Sequence, residues 1–140
     1  LVVQQGIASS AGAYFQGTML DDTNFTVYGT PRGDARLADV EAAVDVEVAR
    51  IARDGVTPAE LEKAKDRYVR SMIFARDKQD SMANIYGSTL ATGGNVQDVQ
   101  QWPDRIRKVT ADEVKAVAAR YLVLDRSTTG YLLPQAKAEN

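Results

Sequence analysis

Carboxylates are plentiful in this sequence: Asp21 with Asp22, Glu41, Glu47, Glu60 with Glu62, and Asp112 with Glu113. Acid–base catalysis needs two of them converging in a cleft with their pKa values pushed apart. Their spacing puts them instead on polar helix faces and at helix N-termini, where negative charge suits the helix dipole. They read as solvated or capping groups. Asp21, Asp22 and Asn24 offer oxygens to a hard cation, but the run lacks the ligand-and-glycine spacing of a calcium loop and reads as a hairpin turn. Ser9 and Ser10 stand just before Gly12. A nucleophilic serine needs a base, and there is no histidine to supply one. A serine–lysine dyad has no support in the spacing. Neither GxGxxG nor GxxxxGK[ST] occurs, so no phosphate loop is expected, and Gly93-Gly94 reads as a helix stop. Tyr68, Tyr86 and Trp102 fall at helical positions that suit a core better than a ligand platform. Arg70, Arg76 and Lys78 read as a solvated helix face. Zinc sites are built mainly from Cys and His, and the sequence has 0 of each. The residues alone therefore predict no catalytic residue and no metal ligand in this chain.

Composition narrows the class. The 140 residues are 44% hydrophobic and 26% charged, ordinary values for a soluble globular protein. Such a length fits one domain, or most of one. The formal net charge is −2, and no run of Lys or Arg stands out. Nucleic acid is therefore not an expected partner. No apolar stretch reaches the length of a membrane span. The sequence starts at Leu1 and not at Met, which is the expectation for a fragment or a processed product.

These side chains must be positioned by elements that the pattern makes legible. Residues 8–20 mix small, polar and aromatic side chains and read as a strand, with Gly12 and Gly17 allowing bends or bulges. A turn cluster follows at 21–24. Phe25, Val27 and Gly29 then alternate with Thr26, Tyr28 and Thr30, the period of a half-buried strand, and Pro31 and Gly33 stop it. The two strands are expected to form an antiparallel hairpin. From Leu37 the period lengthens: Leu37, Val40, Val44, Val48 and Ile51 mark an amphipathic helix that Gly55 closes. Thr57, Pro58 and Glu60 form a strong helix start, and the apolar face runs through Leu61, Ala64, Tyr68, Met72 and Ala75. The charged run 76–80 breaks the stripe, so a kink or helix boundary is expected there. Met82, Ile85, Tyr86 and Leu90 resume it. Asn95 caps a short helix, and Thr110 with Glu113 opens another carrying Val114, Val117, Ala118 and Tyr121. The segment 127–133 reads as a strand ended by Pro134, and 135–140 as a polar tail. The expected class is α+β, with helices packed on one face of a small antiparallel sheet in the order β-β-α-α-α-α-β. The whole of 1–140 is expected to be a single partial domain.

Three blocks carry a resemblance: GVTPAELEKAK at 55–65, VTADEVKAVAARYL at 109–122 and TGYLLP at 129–134. In order and interval, with ATGG at 91–94 and WPDRIRKVT at 102–110 between them, they resemble the pitrilysin/insulinase family of zinc metallopeptidases. The likeness is closest to bacterial members akin to mitochondrial processing peptidase. That family is built from two homologous α+β halves around a chamber. Its first half carries an inverted HxxEH motif and a distant Glu that hold zinc and activate water. This sequence has no HxxEH and resembles the second, non-catalytic half.

What the resemblance implies is a non-catalytic C-terminal domain that closes the chamber and helps hold a peptide or unfolded polypeptide against zinc carried by the other half. The expected partner is therefore an N-terminal catalytic half or a partner subunit, and zinc is expected there and not in this chain. The family's gln-x-gly-tyr element is matched at Gln4 and Gly6, but Ile7 stands where Tyr would be. This favours a chamber-wall role over direct help in catalysis. Gln4, Gly6 and Ile7, with Ser10 and Tyr14 on the following strand, are the expected substrate-facing residues. The chain is shorter than a family half, so its sheet is expected to expose a backbone edge and to self-associate. Bacterial relatives imply the periplasm, with the cytoplasm as the alternative. Two other readings stand beside this one: a structural or assembly module of the same fold without proteolysis, and a peptide-binding module that uses an open sheet edge.

Overall fold

The computed structural model describes residues 1–133. Two strands, β1 (Ala8–Phe15) and β2 (Phe25–Pro31), are followed by five helices. These are α1 (Leu37–Asp54), α2 (Pro58–Arg76), α3 (Gln79–Ala91), α4 (Val96–Lys108) and α5 (Ala111–Tyr121), and a short 3-10 turn covers Leu124–Arg126. The expected α+β class, with helices against a small antiparallel hairpin, is what forms.

The strands pair antiparallel, with Phe15 opposite Phe25, Ala13 opposite Val27 and Ser10 opposite Thr30. Period-two alternation gives the hairpin two faces. On the inner face Gly29 lies directly over Val40 of α1. A Cβ at Gly29 would stand 2.7 Å from the Val40 side chain, so α1 docks on backbone. The irregularity in the ladder falls between Ala8 and Ser10, not at Gly12 or Gly17 as the glycines suggested. Ser9 is the extra residue, and its Oγ donates to the carbonyls of Thr30 and Pro31, each at 3.2 Å. β1 also ends at Phe15, five residues earlier than the pattern implied, and 16–20 belongs to the connection.

The helices start where their caps are. Thr57, Asn95 and Thr110 each accept from the backbone N–H three residues on, and Glu60, Asp98 and Glu113 reach back to the caps. Each box satisfies two N–H groups that a helix N-terminus otherwise leaves unpaired. The charged run 76–80 proves to be a full helix boundary: α2 stops at Arg76 and α3 starts at Gln79. The expected four helices are therefore five.

The closing segment departs from expectation. Residues 127–133 form no strand, and no ladder partner reaches them: the sheet of the described residues has two strands, both of them edges. A strand exists only by pairing, so β-type composition alone leaves the segment as extended chain. It is tethered instead by the Tyr131 hydroxyl, which donates to Glu41 on α1. Pro134 and the expected polar tail 135–140 lie outside the described residues.

Packing falls into two groups. β2 rests on α1, and α1 on α5, while α2, α3 and α4 pack on one another. Lys65 of α2 bridges to the C-terminal end of α4, where its Nζ donates to the Arg107 carbonyl at 3.1 Å. The core is thin: Ala8, Val40, Val69, Val99 and Ala118 are its buried residues, and no large side chain is fully enclosed. A compact monomer of 15.2 kDa exposes roughly 7,100 Å². This chain exposes 11171 Å², an excess of about 4,000 Å² over the compact expectation.

Candidate functional site

The outer face of the hairpin, turned away from α1, is built by Ser10, Gly12 and Tyr14 of β1 opposite Thr30, Tyr28 and Thr26 of β2. Directly opposed residues of an antiparallel pair point to the same side, and two contacts fix the assignment. Ser10 Oγ donates to Thr30 Oγ1 at 3.0 Å. The Tyr28 ring lies across Gly12, where a Cβ would stand 2.6 Å from the phenolic oxygen. Gly12 thus serves as a floor for a cross-strand aromatic.

Of the residues singled out in the sequence, Ser10 and Tyr14 share this face, on either side of Gly12. Gln4, Gly6 and Ile7 lie in the irregular segment before β1. Gly6 adopts φ 69°, a left-handed conformation open to glycine. The Ile7 carbonyl accepts from Arg32 N–H at 2.9 Å, which extends the hairpin's bonding by one rung. Tyr28 and Thr30 belong to the face as fully as Ser10 and Tyr14. The signal for them was present in the alternation of Thr26, Tyr28 and Thr30.

Tyr14 is 56% exposed and Tyr28 50% exposed. Hydroxyls and two aromatic rings line the face, and among the described residues both main-chain edges of the hairpin lack a partner strand. It has no acid–base pair. Among the described residues no cluster of His, Cys, Asp or Glu is arranged to hold a metal ion. The carboxylates that depart from their ordinary range do so elsewhere and for structural reasons. Glu60 and Glu113 are held low by the backbone N–H groups of Thr57 and Thr110. Glu41 is held low chiefly by the Tyr131 hydroxyl. Asp39 is held low by the guanidinium of Arg36.

An α+β domain, five helices with a two-stranded antiparallel hairpin, is the class that this fold defines. The family described as the peptidase M16 inactive domain matches residues 1–68. That stretch contains the hairpin, α1 and the GVTPAELEKAK block. Over that stretch the resemblance to the non-catalytic half of these zinc peptidases is supported. The two later blocks lie beyond that match, and the solved structures below bear on the fold alone. The inactive peptidase domain of a candidate zinc protease from Bordetella parapertussis superposes with a TM-score of 0.82 at 17% identity, covering 99% of this chain and 73% of its own. A candidate zinc protease from Bordetella pertussis gives a TM-score of 0.79 at 17% identity over 95% of this chain and 73% of its own. A protease from Helicobacter pylori gives a TM-score of 0.78 at 17% identity, with 88% of this chain on 29% of its own. At that identity the likeness establishes the fold. No curated protein matches the chain.

Proposed function

We propose that this chain is the chamber-closing, substrate-holding half of a zinc metalloendopeptidase whose metal and general base lie on a partner half. The observation that carries this reading is the match of residues 1–68 to the peptidase M16 inactive domain. The exposed surface, about 4,000 Å² above that of a compact monomer, leaves room for such a partner: obligate interfaces bury roughly 2,000–5,000 Å² shared between the two sides, so about 1,000–2,500 Å² of it on this chain. The match to an inactive peptidase domain supplies the kind of partner. The polar-aromatic outer face of the hairpin is the surface offered to the peptide.

The intact protein, with any adjacent subunit, should bind zinc and cleave a quenched unfolded peptide in a chelator-sensitive way. A protein with neither zinc nor cleavage is a scaffold, and the reading fails. Tyr14→Ala should raise KM more than it lowers kcat, because Tyr14 contributes binding that is uniform along the reaction. An unchanged KM removes Tyr14 from the substrate face.

The open edges favour a second reading, a peptide-binding module without proteolysis. It predicts that extended peptides bind equally well after zinc is stripped. The same edges predict that the chain without its partner self-associates. Export to the periplasm belongs to the first reading and is tested by cell fractionation.

A further inference from the structure

Helices α2, α3 and α4 border an open groove of about 330 Å³ lined by Met72, Arg76, Met82, Tyr86, Val99 and Gln100. A second hollow continues it toward Ile73 and Pro103 and shares Met72, Arg76 and Gln100 with the first. Arg76 therefore lines both parts of one trough, the first walled mainly by apolar side chains and the second also by Asp104 and Arg107. Among the described residues its guanidinium makes no ion pair and no hydrogen bond. The other arginine on the trough, Arg107, is neutralised by Asp104 at 2.8 Å.

We propose that this groove binds the free C-terminus of a peptide that ends in an apolar residue. The terminal carboxylate pairs with Arg76, whose fork geometry matches a carboxylate bidentately. The last side chain lies between Met72, Met82 and Val99, where flexible thioethers adapt to different apolar shapes. Gln100 carries both a donor and an acceptor, as a peptide backbone requires. The Arg76 charge selects an anion, and the apolar walls select what accompanies it. The open, shallow shape suits a chain that continues out into solvent rather than a lipid tail enclosed on all sides. The groove lies in the helical group remote from the hairpin, so the site does not depend on the substrate face described above.

The test uses the intact protein with zinc chelated, and fluorescence anisotropy of a dye-labelled peptide ending in Ala-Leu. It is run with a free and with an amidated C-terminus, against wild type, Arg76→Gln and Arg107→Gln. Any binding by the catalytic half is common to all three proteins and cancels in the comparison. The free acid should bind wild type at least about ten-fold more tightly than the amide, the scale of one charge-assisted pair. Arg76→Gln should abolish that preference and Arg107→Gln should leave it. Met82→Glu, on the half-buried groove wall, should weaken the acid by repulsion, with circular dichroism confirming that the helices are retained. Equal affinity for acid and amide overturns the proposal. So does a preference that survives Arg76→Gln, complete displacement by decanoate, or no binding at millimolar peptide.

Discussion

Gly55 shows how much one residue decides here. It ends α1 at φ 78° and ψ −157°, a region open essentially to glycine, and a Cβ there would meet the Lys115 side chain of α5 at 3.3 Å. Gly55→Ala should therefore cost about 1–3 kcal/mol, read as a lower midpoint in urea with unchanged slope. The residues that follow impose a pH dependence. Glu60 and Glu113 accept from the cap N–H groups of Thr57 and Thr110, which hold their pKa values below the ordinary carboxylate value. A depressed folded value contributes stability above the unfolded pKa and loses it as pH falls through the folded one. Acid titration followed by far-UV circular dichroism should show helix loss in that low window. The double variant Glu60→Gln, Glu113→Gln should begin less stable at neutral pH and show a flatter acid limb.

The elements differ in how far local sequence determines them. Helix starts were legible because a capping box is a local device: Thr57 with Glu60 and Thr110 with Glu113 carry their own instruction within four residues. The hairpin was legible from alternation, and with it the shared face of Ser10 and Tyr14. The bulge at Ser9 was not, because it arises from where β2 happens to run, and no glycine marks it. Nor was the state of 127–133, since strand composition is satisfied only by a neighbour. The Arg76 groove escaped as well, because three helices separated in sequence build it. The tether of 127–133 through Tyr131 and Glu41 gives a direct check. Tyr131→Phe should speed amide exchange across 127–133 and leave the middle of α1 protected. Unchanged exchange in that segment would show that the hydroxyl does not hold it.

For the whole molecule, the thin core and the large exposed surface carry the main consequence. Leu20, Phe74, Leu132 and Leu133 are all more than two-thirds exposed, a pattern that marks association surfaces rather than the exterior of a stable monomer. The chain expressed without a partner should scatter light as a dimer or larger species, increasingly so with concentration. A monodisperse monomer at high concentration would contradict the self-association. The division into two packing groups also bears on how unfolding is observed. The protein has a single tryptophan, Trp102, whose indole N–H donates to the Tyr68 hydroxyl at 3.0 Å beneath the guanidinium of Arg105. Its emission therefore reports the seam between α2 and α4 and carries no signal from the hairpin or α1. A fluorescence melt would track one half of the molecule, and its midpoint need not coincide with that of the backbone signal. The gap between the two would measure how independently the hairpin and α1 open.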